Sequence, residues 1–212
     1  MGGRMTSRLN AVRLRSFNPF KRAYRVFGVA ESFRPGDARA VLGGVVMRAD
    51  LQVDGMVLGS CTVGGMDSTE SIRRMYDSLR RNDINLVMLG GCIISLFNLV
   101  DVRELSESLS LPVLCITFRP SVGLEELIAT KFAADAETRL EVYRSLGERE
   151  EVKLKTGHVV YVRRQGVSKR ATEVVLNSLT LSGKVPEPVR VARLLARASR
   201  DFSAGGASSQ SL

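Results

Sequence analysis

Two unbroken apolar runs, Leu86–Leu89 (LVML) and residues 112–118 (PVLCITF), constrain the fold of this chain most. A strand wet on one face alternates apolar and polar residues. These two do not alternate, as expected of strands covered on both faces. Upstream, residues 25–29, 40–47 and 53–63 are β-rich, and the short polar gap at Arg48-Ala-Asp50 predicts a hairpin, so the sheet begins with three antiparallel strands. Helical spacing follows. Asp67-Ser68-Thr69-Glu70 opens a helix with Ile72, Met75, Tyr76 and Leu79 apolar, and either Asp67 or Ser68 can cap it. Further helices are expected at 102–109, at 123–146 with a break near 133–135, at 168–181, and after Pro186-Glu-Pro188, where proline suits a first turn. A short strand is expected at 159–162. The pattern predicts an α/β chain with a single-domain mixed sheet and helices on both faces. At 212 residues, one domain suffices.

The charge is uneven. The chain carries 31 Lys+Arg against 22 Asp+Glu, a net +9. Seven of these charges fall in the first 25 residues, which hold no acid, so the rest of the chain nets +2. Residues 1–24 read as a basic, disordered leader, with a phosphate-binding arm as the alternative. Residues 25–201 form the expected domain, and the small, polar 202–212 a disordered tail. No apolar stretch reaches membrane-spanning length. Three cysteines, Cys61, Cys92 and Cys115, read as buried thiols of a reducing compartment, the cytoplasm. The single histidine, His158, excludes any two-histidine metal motif and lies far in sequence from every cysteine.

Four constellations remain. Gly64 and Gly65 feed a helix start, which suits either anion binding through free amides or a tight turn. Gly90 and Gly91 end a central strand, where ligands of open α/β sheets bind. Glu31, Asp67, Glu70 and Asp101 lie near strand ends; a Mg²⁺ hydrolase needs such carboxylates to converge, but Asp67 and Asp101 can equally cap helices. Arg163, Arg164, Lys169 and Arg170 cluster around a turn, and Arg190, Arg193, Arg197 and Arg200 stripe the last helix at steps of three and four. These two groups follow a phosphate backbone or face water.

The segments AVLGGVVMRADLQVDGMVLGSCTVGGMDSTESI, VMLGGCIISLFNLVDV, LPVLCITFRPS and VYVRRQG through PEPVRVARLLA resemble, in order, uncharacterised protein family 0215, over roughly residues 25–200. That family resembles endonuclease V, which implies a ribonuclease H-like fold. It also implies Mg²⁺-dependent cutting of nucleic acid by an Asp on the first strand, a Glu at the following helix and an Asp ending the next central strand. The resemblance puts the first at Ala30 with Glu31 beside it, the second at Glu70 or Asp67, and the third at Leu89, which cannot bind a metal. The endonuclease histidine falls near Gln165-Gly166.

The expectation is therefore an RNA- or DNA-binding or nucleotide-binding protein on a degenerate site. Its groove would be formed by residues 31–33, 64–70 and 90–93, flanked by the two arginine groups. The alternative is a divalent-metal-dependent hydrolase with Glu31 and Glu70 as metal ligands, and Asp67 and Asp101 beside them. A further alternative is a protein-interaction module without catalysis.

Overall fold

The computed structural model describes residues 14–15, 17–21, 23–120 and 123–207. The three antiparallel strands are β1 (Arg25–Ser32), β2 (Arg39–Arg48) and β3 (Val53–Thr62), followed by helix α1 (Ser68–Ser78) and the central strand β4 (Leu86–Leu89). A small two-stranded ribbon, β5 (Ile93–Ile94) and β6 (Asn98–Leu99), leads into α2 (Val102–Leu109) and β7 (Val113–Thr117). The helical stretch breaks as expected into α3 (Glu125–Lys131) and α4 (Ala136–Ser145). A hairpin of β8 (Glu150–Lys153) and β9 (Val159–Gln165) precedes α5 (Lys169–Leu179) and α6 (Glu187–Ala207).

Among the described residues, seven strands form one sheet in the order β3-β2-β1-β4-β7-β9-β8. The β1–β4 and β4–β7 pairings are parallel and the others antiparallel. The two apolar runs are the central strands β4 and β7, buried on both sides. Val26, Met88 and Leu114 face α5 and α6, while Phe27, Val87 and Cys115 face α1 and α2. The architecture is mixed α/β with helices on both faces, as the sequence pattern predicts. β5, β6 and β8 are not legible in the sequence, since each is at most four residues and carries no turn-bounded apolar run.

Helix α6 sits unusually close to the sheet. A Cβ on Gly28 would lie 2.5 Å from the Pro188 carbonyl carbon, and one on Gly90 would lie 2.7 Å from Val189 Cγ1. A Cβ on Gly43 would lie 2.9 Å from the Ala196 amide nitrogen and overlap the Ala192 carbonyl oxygen. Gly28 and Gly43 let helix backbone meet strand backbone, and Gly90 makes room for the Val189 side chain.

The expected domain limits shift at both ends. Part of the expected leader packs on the domain instead: the Arg15 amide donates to the Ser110 carbonyl at 3.0 Å and Phe17 packs edge-on against Tyr24 at 5.4 Å. Apolar Leu14, Phe17 and Tyr24 are the reason: they cover the sheet end and the Gly166 turn. At the other end α6 runs through to Ala207, past the expected start of a tail at 202. The rest of that leader and tail lies outside the described residues. No helix among the described residues is long and apolar enough to cross a membrane, and all three cysteines are buried and free.

Gly43→Ala should lower stability by about 1–3 kcal/mol, because overpacked backbone cannot rotate away as a side chain can. A lower urea midpoint at unchanged slope is the expected readout. An unchanged midpoint would show that α6 has room to withdraw.

Candidate nucleic-acid interface

The C-terminal ends of β1, β4 and β7 open into a cavity of about 510 Å³. Its wall includes Glu31, Phe33, Gly90–Phe97, Phe118, Tyr143, Arg149 and Arg163. A second hollow of about 340 Å³ is formed by Arg193, Arg197 and Arg200 of α6 with Glu31, Ser32 and Phe33. Glu31 and Phe33 belong to both, so the two open on either side of one wall. Arg193 also stacks over the Phe118 ring at 5.6 Å, tying the helix to the cavity rim.

Strand alternation explains why Glu31 is the carboxylate at this point. Side chains on β1 alternate faces, so Ala30 faces α6, whereas Glu31 follows Val29 onto the face of Leu89. Ala30, at the implied first-strand position, thus faces away from the cavity, and Glu31 beside it lines the wall. The Glu31 carboxylate accepts from the Ser95 amide at 2.5 Å and from the Ser95 hydroxyl, which in turn accepts from the Cys61 thiol at 3.2 Å. Burial raises the Glu31 pKa above its ordinary value, against the opposing pull of Ser95 and the Arg193 charge.

The partner of Glu31 sits on a strained tip. Ser95, Leu96 and Phe97 all have left-handed backbone, with φ of 44°, 59° and 62°. Such a conformation costs about 1–2 kcal/mol for each residue with a side chain. The surroundings hold it. The Gly64 amide donates to the Ser95 carbonyl at 2.7 Å. The buried Arg139 of α4 donates to the carbonyls of Phe97 (2.8 Å), Gly64 (2.7 Å) and Gly65 (3.1 Å), and pairs with Asp135 at 2.8 Å. Arg139 also lies 4.0 Å over the Phe132 ring. Ser95, Arg139 and Phe97 escaped the sequence reading. Three successive left-handed residues without a glycine give no turn signal, and a lone Arg on a predicted helix looks like any surface charge.

The other expected site residues separate into different places. Gly64 and Gly65 do not form a free anion cradle: their amides donate to the Ser95 carbonyl at 2.7 Å and the Thr62 carbonyl at 3.1 Å, and the adjoining Ser68 amide donates to the Asn98 side chain at 3.0 Å. Asp67 precedes α1 without capping it. Its carboxylate accepts instead from the Thr62 amide (2.9 Å), the Thr62 hydroxyl (2.9 Å) and Asn98 Nδ2 (2.7 Å). Burial works against that charge, but these donors outweigh it and lower the pKa. Glu70 is clamped by Arg73 and Arg74, each at 2.7 Å, which hold its carboxyl near 2. Asp67 and Glu70 line a third hollow that does not include Glu31. Asp101 caps α2, accepting from the Glu104 amide at 2.9 Å.

The arginines divide as well. Arg163 faces the cavity and donates to Cys92 Sγ at 3.4 Å, whereas Arg164, one residue on, pairs with Glu150 at 2.9 Å on the opposite face. Lys169, in the first turn of α5, and Arg190, paired with Glu187 at 2.6 Å, line neither hollow. Arg193 and Arg197 do.

A Mg²⁺ site of the endonuclease V type does not fit these residues. Among the described residues, no three His, Cys, Asp or Glu side chains gather as a metal-ligand set. Leu89 fills the third position as a buried apolar side chain, and Glu70 is neutralised by two guanidiniums.

A mixed sheet, a carboxylate at the end of its first strand and a helix crossing its rear give this chain a ribonuclease H-like fold, the fold of endonuclease V. The comparisons agree. Human ENDOV superposes with a TM-score of 0.62 at 16% identity, covering 91% of this chain and 92% of that one. Ciona intestinalis endonuclease V, solved in complex with a 24mer DNA containing an inosine, gives 0.59 at 13% identity, with coverage of 85% and 87%. A protein of unknown function from Archaeoglobus fulgidus gives 0.69 at 25% identity, with coverage of 82% and 97%. The chain belongs to the family described as Endonuclease dU, whose model matches residues 22–200. Its relatives include the UPF0215 protein of Pyrobaculum calidifontis, 35% identical over 174 residues, which are 82% of this chain and 96% of that protein.

Two outcomes follow. Arg139→Met should cost about 1–3 kcal/mol or more, because it leaves the Gly64, Gly65 and Phe97 carbonyls without their donor, and should abolish hydrogen-exchange protection at the Gly64 amide; retained protection would show that the tip holds itself. For Glu31, the folded chain keeps a proton that the unfolded chain releases between the ordinary and the raised pKa. The penalty on folding is absent below the ordinary value and sets in as pH rises through the raised one. The stability of Glu31→Gln should therefore decline less than that of the wild type across this window. Parallel curves would reject a raised pKa.

Proposed function

We propose that this protein binds single-stranded or unpaired nucleic acid at the C-terminal ends of β1 and β4, takes a deoxyuridine base into the 510 Å³ cavity, and acts on the strand beside it. The observation that carries this reading is the position of Glu31, on the wall shared by an aromatic-lined cavity and an arginine-lined hollow. A base and its backbone phosphates need those two environments side by side. Phe33, Phe97, Phe118 and Tyr143 give the cavity its aromatic wall. Arg193 and Arg197 supply charge where the backbone would run, while Arg200 is paired with Asp201 at 2.7 Å. The family description, Endonuclease dU, supports deoxyuridine as the base and strand scission as the action. Glu31, as the buried carboxylate at this junction, is the group assigned to the reaction.

A second reading, binding without scission, is favoured by Leu89 and by the arginine clamp on Glu70. The two separate in one experiment. Deoxyuridine-containing and thymidine-containing single-stranded oligonucleotides are compared for binding and nicking, with Mg²⁺ or Mn²⁺ present and absent. Under the first reading only the deoxyuridine strand is nicked, and Glu31→Gln slows nicking by about 100-fold or more with binding retained. Tight binding with no nicking in any buffer selects the second. In either case Arg193→Ala with Arg197→Ala should reduce the salt slope of binding by about 1.4. Absence of binding at low salt would overturn both.

A further inference from the structure

Behind the cavity wall lie two cysteines that the nucleic-acid reading does not use. Leu89, Cys115 and Arg163 are lateral neighbours across β4, β7 and β9, with Leu89 paired to Cys115 and Cys115 paired to Arg163. They share one face of the sheet. After Leu89 the chain turns through Gly90 and Gly91, bringing Cys92 back over that face. Cys92 and Cys115 lie in the same buried cluster, close enough for each sulfur to influence the ionisation of the other. Arg163 completes the group by donating from Nη1 to Cys92 Sγ at 3.4 Å. Both cysteines are buried, but Cys92 and Arg163 form part of the cavity wall while Cys115 lies behind it.

We infer that Cys92 and Cys115 are a redox modification site, in which hydrogen peroxide or a comparably small hydroperoxide entering the cavity converts the dithiol to a disulfide.

The surroundings distinguish the two sulfurs. The neighbouring Cys115 thiol and the adjacent Arg163 charge favour ionisation of Cys92 despite its burial, while burial and the neighbouring Cys92 sulfur keep Cys115 protonated. Cys92 is therefore the attacking thiolate and Cys115 the resolving thiol. The Cys92 sulfur attacks one peroxide oxygen and the O–O bond breaks. The departing hydroxide takes up the proton released by Cys92 and leaves as water, and Cys92 becomes a sulfenic acid. The Cys115 sulfur then attacks the Cys92 sulfur. The S–S bond forms, the S–O bond breaks, and the hydroxyl leaves with the Cys115 proton as a second water. The dithiol loses two electrons and the peroxide gains them. A small dithiol reverses the step by exchange. Cys61 takes no part: its thiol is committed to Ser95, and burial holds its pKa up at about 11.

The experiment treats the full-length folded protein with hydrogen peroxide, quenches, and alkylates in denaturant before peptide mass mapping. Two thiols should be lost and one retained, with Cys92 linked to Cys115 and Cys61 alkylated. In Cys115→Ser, a dimedone adduct trapped on unfolding should map to Cys92. Arg163→Met should slow disulfide formation by about tenfold, since one pKa unit is about a tenfold change in thiolate. A bulky maleimide applied to the native protein should react far more slowly than peroxide does, because the approach runs through the cavity. Three free thiols after peroxide, or a link that includes Cys61, would overturn the assignment. So would an unchanged rate in a folded Arg163→Met. If Arg163→Met does not fold, the Cys115→Ser trap decides alone: an adduct at Cys92 supports the site and its absence rejects it.

Discussion

The close seating of α6 on the sheet is the constraint on which the rest of this structure depends. At Gly28, Gly43 and Gly90 a methyl group would collide with the helix. Their bare backbones let Pro188, Ala192 and Ala196 approach the strands directly. This fixes the height and direction of a 21-residue helix, and so its far end. Arg193, Arg197 and Arg200 come to rest beside Glu31, Ser32 and Phe33 because the contact behind them allows no other separation. Arg200 seals the arrangement by donating to the Ser32 hydroxyl at 2.8 Å. Packing on one side of the sheet thereby sets electrostatics at its edge.

A second constraint acts from the opposite face. The Ser95–Phe97 tip is held in a backbone conformation that none of its residues favours. Two charged side chains make it worthwhile. Glu31 takes both donors of Ser95, and Arg139 takes the carbonyls of Phe97 and of the Gly64-Gly65 loop. Removing either leaves buried polar groups without partners, at a cost comparable to the strain itself. The result is one connected unit from β1 through the tip to α4. It positions a buried carboxylate at the mouth of a cavity with few degrees of freedom left to it.

The net charge of +9 has the same local character. Many of the body's arginines are spent on internal partners, such as Arg73 on Glu70 and Asp77, Arg81 on Asp54 and Asp83, and Arg190 on Glu187. The charge at the candidate interface comes from a few residues on α6 and β9. Sequence spacing marked the α6 stripe correctly as a stripe but not which of its members face the site. Arg190, one turn earlier than Arg193, is turned to Glu187.

The sequence by itself determined the layered fold. Unbroken apolar runs can only be central strands, and the helical periods between them can only cover such a sheet; β4 and α2 fall where the pattern put them, because burial acts on short segments independently of distant partners. It also determined that a glycine pair ends β4 and that Leu89 cannot hold a metal. The tertiary structure alone told the three carboxylates apart. Glu31, Asp67 and Glu70 look equivalent in one dimension, but the pleat of β1, the guanidiniums beside Glu70 and the Thr62 and Asn98 donors around Asp67 give them three different environments. It likewise decided that Gly90 serves α6, that Arg163 and Arg164 part to opposite faces, and that Arg163 reaches Cys92. Each of these depends on contacts between residues far apart in the chain, which local pattern does not encode.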